Sequence, residues 1–145
     1  MTAAEDVLDR FCQAEAEYVA GGGRGRGDFG PVAAVLHPEV CLWTQPGLPY
    51  GGVWRGREGI ENFLAEFSAT WSELDILSTS KVADGEQVAV HLQVRFTARI
   101  TGRALETSIV QLNRARDGLV TEFRTYYWDP AAIAAVTGRQ AAGDG

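Results

Sequence analysis

From Val88 to Arg99 the chain alternates without a break. Val88, Val90, Leu92, Val94, Phe96 and Ala98 fall on one side, and His91, Gln93, Arg95, Thr97 and Arg99 on the other. A period of two marks a strand half buried in a sheet. Leu74 and Ile76 begin an earlier strand, and Asp84-Gly85 is a hairpin turn between the two. Thr101-Gly102 turns into a strand from Glu106 to Arg114, and Asp117-Gly118 turns into the last one. Upstream the period is helical. Val7, Phe11, Ala14 and Tyr18 form one stripe behind Thr2-Ala3-Ala4-Glu5, a capping box in which Thr2 accepts from the backbone and Glu5 reaches back. Gly21 to Gly27 ends that helix in a loop. Asp28 caps a short helix through Val32, Ala33 and Leu36, which must stop near His37 because the residue before a proline avoids helical geometry. Val40 to Trp43 reads as a strand and Pro46 to Gly52 as a stiff turn into Val53-Trp54. Glu58 opens a helix with Ile60, Phe63, Leu64, Phe67 and Trp71 on one face. Pro130 to Val136 closes the chain as a short helix or ordered tail, with residues 138–145 as a flexible end.

Three helices followed by long antiparallel strands predict an α+β domain. A sheet apolar on one face, with too few helices to cover it, curls around them and leaves a pocket. The 145 residues, 46% of them hydrophobic, suffice for one domain, spanning 1–145. A net charge of −6 argues against nucleic acid or an anionic membrane as partner. Lys81 is the only lysine. No apolar run is long enough to span a bilayer, and the N-terminus lacks the pattern of a signal peptide. Cys12 and Cys41 have no metal or redox spacing and read as buried thiols of a cytoplasmic protein.

Two blocks carry more information than this pattern. The first is His37-Pro38-Glu39-Val40, followed by Pro46-Gly47-Leu48-Pro49-Tyr50-Gly51-Gly52 and Trp54-Arg55-Gly56-Arg57-Glu58-Gly59. The second is Asp117-Gly118 leading into Phe123-Arg124-Thr125-Tyr126-Tyr127-Trp128-Asp129-Pro130. Together they resemble the SnoaL-like polyketide cyclase branch of the nuclear-transport-factor-2-like superfamily. The resemblance implies an α+β cone, with a curved antiparallel sheet packed on three N-terminal helices around a pocket. It also implies a homodimer formed through the outer sheet face, here the face bearing His91, Gln93, Arg95, Thr97 and Arg99. The implied activity is cofactor-independent acid–base catalysis on a hydrophobic, oxygenated small molecule: a cyclase, dehydratase or isomerase step in secondary metabolism. Relatives place an acid just before the Tyr-Trp-Asp-Pro-like ending, where this chain has Tyr126 or Thr125. The stretch is one residue longer than usual, which predicts a bulge near Tyr126. Relatives also carry a His-Glu pair in place of Trp43-Thr44 and a histidine in place of Gln111.

The residues themselves leave few other chemistries. The glycine loop follows a helix rather than a strand and has no lysine beside it, so it is no phosphate cradle. His37 and His91 lack second ligands at metal spacing; His37 suits a structural hydrogen bond in its corner, and His91 a surface or subunit contact. No nucleophile elbow or dinucleotide fingerprint is present, and no metal or cofactor is expected. Acid–base work remains, needing carboxylates or phenols in an apolar pocket. Glu106 shares strand parity with Val110 and Leu112 and is the candidate proton carrier. Ile109 blurs that parity, and if the opposite face points inward, Gln111 and Asn113 become the polar pocket groups. Tyr126 or Tyr50 would hold the substrate oxygen, and Trp43, Trp54, Phe96 and Trp128 would orient its rings. Epoxide opening is an alternative; its hydrolytic form wants paired aspartates bridged by arginine, and only Asp129 and Arg124 lie near. A binding domain without turnover is the other alternative, since fold does not guarantee activity.

Overall fold

The predicted capping box starts helix α1, Ala3–Ala20, in the computed structural model, which describes residues 2–139. Thr2 Oγ1 accepts from the Glu5 N–H at 3.1 Å, and Glu5 Oε1 accepts from the Thr2 N–H at 3.3 Å. Both N–H groups would otherwise stay open at the helix start. Val7, Phe11, Ala14 and Tyr18 are buried, and Ala4 and Leu8 extend their stripe. The glycine loop folds back on this helix so tightly that a Cβ on Gly27 would lie 2.5 Å from the Tyr18 carbonyl oxygen. Asp28 Oδ1 accepts from the Gly30 N–H at 2.9 Å at the start of α2, Gly30–Ala34. That helix stops short of the expected Leu36, which already opens strand β1, Leu36–Thr44. His37 Nδ1 accepts from the Glu39 N–H at 3.0 Å, the structural bond expected of it.

The remaining elements are β2 (Gly52–Arg55), α3 (Gly56–Thr70), β3 (Trp71–Asp84), β4 (Gln87–Ala98), β5 (Ala104–Arg116), β6 (Leu119–Tyr127) and α4 (Pro130–Thr137). Trp71, expected on the helical stripe, is instead the first residue of β3, and it is buried all the same. The strands form one curved sheet in the order β2-β1-β6-β5-β4-β3, with β1 and β6 parallel and the other neighbours antiparallel. The even-numbered apolar residues of β4 face the helices, as the alternation predicts. The register carries this inner face across to Ile109, Gln111 and Asn113 of β5, Phe123, Thr125 and Tyr127 of β6, and Leu42 and Thr44 of β1. The bulge in β6 lies at Thr121, where the pairing steps from Arg114↔Glu122 to Ala115↔Val120. Tyr126 pairs with Val110 and Tyr127 with Ile109 in unbroken register, so no bulge re-aims Tyr126.

Buried side chains form two clusters. One joins α1 and α2 to β1, β4 and β6; the other joins the Leu48–Tyr50 turn, Trp71, the end of β4, Tyr127 and α4. Trp54, Phe63 and Leu92 pack against both and keep part of their surface uncovered. Asp129 Oδ1 caps α4 by accepting from the Ala132 N–H at 3.1 Å, and Ile133 and Val136 seal the second cluster. Arg139 then donates to the Glu66 carboxylate at 2.8 Å and to the Thr70 hydroxyl at 2.5 Å. Arg139 is therefore held against α3; the rest of the segment expected to be flexible, from residue 140 on, lies outside the described residues. Arg139→Ala is expected to loosen α4 and raise amide exchange at Ile133 and Val136, with little change in α1, as hydrogen exchange would show.

Candidate active site

The inner face of the sheet is not uniformly apolar. Thr44, Thr125 and Gln111 stand side by side across β1, β6 and β5, and Asn113 lies in the next inward row. Asn113 Nδ2 donates to Gln111 Oε1 at 3.3 Å. Asn113 is 3% exposed, and among the described residues its Oδ1 and the Thr44 hydroxyl find no partner. Buried polar atoms rarely stay unpaired, so each asks for an explanation.

Beside this row lies a pair of phenols. Tyr50 is fully buried, and its hydroxyl donates to the Tyr127 hydroxyl at 2.6 Å while accepting from Trp71 Nε1–H at 3.0 Å. The indole can only donate. With Trp71 feeding Tyr50, one of the two phenolic protons bridges the pair and the other remains unspent. Tyr50 gets there through the tight turn before β2: the Gly51 N–H bonds to the Leu48 carbonyl, and a Cβ on Gly51 would come within 2.7 Å of the Gln45 carbonyl oxygen. Gln45 Oε1 accepts from the Tyr127 N–H and ties the turn to the end of β6. Phe63 and Phe67 pack edge-on against the Tyr50 ring, and Trp71 stacks on Phe96 with centroids 4.3 Å apart. Burial raises both phenols: Tyr50 and Tyr127 stand well above the usual tyrosine range, Tyr127 further through the charge of its neighbours Tyr50 and Glu15.

Glu15 is the residue that sequence reading missed. It sits four residues after Phe11 and three before Tyr18, inside the apolar stripe of α1 rather than on its solvent side. Protein surrounds its carboxyl, although the residue keeps part of its surface accessible, as do Trp54, Phe63, Leu92 and Gln111 on the inner side. Desolvation alone pushes Glu15 up from 4.5 to about 7. The signal was present in the chain: an acid at i+4 and i−3 from aromatic core positions is out of place on an amphipathic helix. Among the described residues no three His, Cys, Asp or Glu side chains converge as a metal ion would need.

The model of the SnoaL-like domain family matches residues 10–123. The chain belongs to that family. No curated protein matches this SnoaL-like domain in sequence. Among solved structures it is similar to an NTF2-like protein from Burkholderia xenovorans LB400, with 24% identity, a TM-score of 0.79, and 93% of this chain and 95% of that one covered. It is also similar to TerC co-crystallized with polyporic acid (18% identity, TM-score 0.76, 94% and 99% covered) and to a putative isomerase from Rhodopseudomonas palustris (14%, 0.71, 92% and 97%). At these identities the likeness establishes the α+β fold with its curved sheet and N-terminal helices.

Several predicted site residues lie elsewhere in this SnoaL-like domain. Glu106 is exposed on the outer face opposite Arg95, because β5 turns Ile109, Gln111 and Asn113 inward and Val110 and Leu112 outward. Glu106 is thus no pocket carboxylate, and the other parity holds. Tyr126 and Trp43 pack against each other in a tilted pair, centroids 5.1 Å apart, on the outer face, and Trp128 is 85% exposed there, so these three do not line the interior. Tyr50, Trp54, Phe96, Gln111 and Asn113 do share it. A groove of about 360 Å³ crosses the outer face between His91, Val110, Tyr126 and Trp128. Arg99 leaves that face: its guanidinium bonds the Ser68 and Trp71 carbonyls at 2.8 and 3.1 Å. Cys12 keeps exposed surface although protein around its thiol desolvates it, and Cys41 is half-buried, so neither is the fully buried thiol expected. No helix among the described residues is long and apolar enough to cross a membrane.

Proposed function

We propose that this domain is a cofactor-independent acid–base enzyme acting on a hydrophobic, oxygenated small molecule by cyclisation, dehydration or isomerisation. The observation that carries this reading is Glu15, raised to about 7 within the same interior as the Tyr50–Tyr127 pair. A carboxyl near neutrality suits both proton removal and proton return. The ionised Glu15 would take a proton from a carbon beside a carbonyl, and the unspent phenolic O–H would hold the enolate oxygen. Return of that proton to another carbon gives isomerisation. Return to a departing hydroxyl gives dehydration with loss of water, and return to the oxygen of a second carbonyl attacked by the enolate gives cyclisation. The family and a neighbour described as a putative isomerase support this reading, as does a neighbour holding polyporic acid. Hydrolytic epoxide opening has less support, since Arg124 pairs with Glu122 on the outer face and Asp129 caps α4. In assays on aromatic polyketide and epoxide substrates, kcat/KM should fall about tenfold per pH unit below about 7. Tight binding of such compounds with no conversion at any pH would favour a binding domain instead.

The outer face supports a homodimer. Val110, Leu112, Trp43 and Tyr126 form an apolar centre there, with Asp75, Arg95 and Glu106 in an alternating charged row beside it. Sedimentation at micromolar concentration should give a dimer, and Val110→Asp should give a monomer; a monomeric wild type would refute it.

A further inference from the structure

Lys81 is the only lysine of the chain and, among the described residues, the only charged side chain on the inner face of the sheet. Its pairing with Val90 puts it in line with Leu92 and Val94 rather than with the outward charges Glu73 and Asp75. The helices leave this edge of the sheet open. Leu74 and Ile76 belong to the inner face through their pairing with Phe96 and Val94, yet they are 41% and 55% exposed. Across the opening, Asp9 of α1 meets Lys81 at 2.5 Å, with both side chains about a third exposed. Cys12 and Glu15 follow at successive turns of the helix. The Cys12 thiol, pushed up to about 12 by desolvation and then by Glu15 and Asp9 against Lys81, places all four groups in one electrostatic neighbourhood.

An apolar lip at Leu74 and Ile76 and, further along the same edge strand, a single cation thus line the open edge of an interior whose other polar groups are neutral amides, hydroxyls and Glu15. An ion pair with both side chains about a third exposed, such as Lys81–Asp9, contributes little, so an incoming anion displaces Asp9 at small cost. We propose that Lys81 anchors an acidic oxygen of the ligand, so that the substrate class is an apolar ring compound with one anionic group at the end away from the buried phenols. The proposal deepens the reading of this interior as the reaction site and rests on it, but its test reads binding rather than turnover.

Biphenyl-4-carboxylate and biphenyl-4-carboxamide share shape and differ in charge. Calorimetry at pH 6, where Glu15 is mostly neutral, should show wild type binding the acid at least about tenfold more tightly than the amide. Lys81→Met should abolish that preference and Lys81→Arg should keep it. Asp9→Asn, which frees Lys81, should strengthen acid binding by about threefold or more. Equal binding of the two probes by wild type, a preference that survives in K81M, or binding of neither probe overturns the proposal. Loss of turnover in Glu15→Gln with equal probe binding would sink the anchor alone. An active Glu15→Gln enzyme with the preference intact would sink the catalytic role of Glu15 alone.

Discussion

Glu15→Gln is expected to lower turnover by about a hundred- to ten-thousand-fold while making the protein more stable at pH 8. The two effects have one cause. Folding raises the Glu15 pKa from 4.5 to about 7, so the folded state favours the protonated form. That preference is fully present below about pH 4.5, is lost as the pH rises through 7, and stays lost above it. Each unit of difference between folded and unfolded pKa is worth about 1.4 kcal/mol. The ionised side chain therefore costs up to about 3 kcal/mol of stability at pH 8, less whatever its accessible edge recovers from water. Glutamine keeps the shape and removes the charge. Chemical unfolding should find E15Q and wild type equally stable near pH 4.5 and the variant more stable at pH 8. A residue that lowers stability at the working pH suits a site retained for function. Turnover unchanged in E15Q would remove Glu15 from the mechanism, and equal stability at pH 8 would show that its carboxyl is solvated after all.

The fold was legible where one physical rule acted alone. β4 alternates cleanly because one face meets the helices and the other does not, and Asp84-Gly85 and Asp117-Gly118 turn where positive φ is needed: Gly85 at +59°, Asp117 at +53° and Gly118 at +78°. β5 misled because two rules conflict there. Apolar parity assigns Val110 and Leu112 to the core, yet the core side of this strand carries Gln111 and Asn113. Only from Val110 to Asn113 does the strand turn its amides inward and its aliphatic side chains outward, and parity by hydrophobicity inverts that stretch. Tyr126 misled for a related reason: the extra residue in β6 is absorbed at Thr121, five residues upstream, so counting back from Asp129-Pro130 picked the outward neighbour of Tyr127. Glu15 is hidden because a stripe is read by its apolar members, and an acid inside it counts as an interruption rather than as a signal.

The phenol pair should respond asymmetrically to loss of a hydroxyl. Tyr50→Phe strips the acceptor from Trp71 Nε1–H and the partner from Tyr127, leaving two buried polar groups unmatched, whereas Tyr127→Phe leaves only the Tyr50 O–H. An orphaned buried donor costs about 1–3 kcal/mol. Tyr50→Phe should therefore lower the melting temperature by roughly 3–10 °C, and Tyr127→Phe by about half as much. Turnover should fall at least about tenfold in both, which corresponds to roughly 1.4 kcal/mol of transition-state stabilisation, because either change removes or re-aims the unspent proton. The double variant should be no slower than the worse single one, since the hydroxyls act as a unit. Tyr126→Phe, on the outer face, should keep wild-type turnover. The controlling comparison is Tyr127→Phe: wild-type turnover in a variant that melts a few degrees lower would mean that the pair only braces Trp71 and the turn before β2. In that case Glu15 would have to act with the Thr44, Gln111 and Asn113 row as the oxygen-holding side of the site.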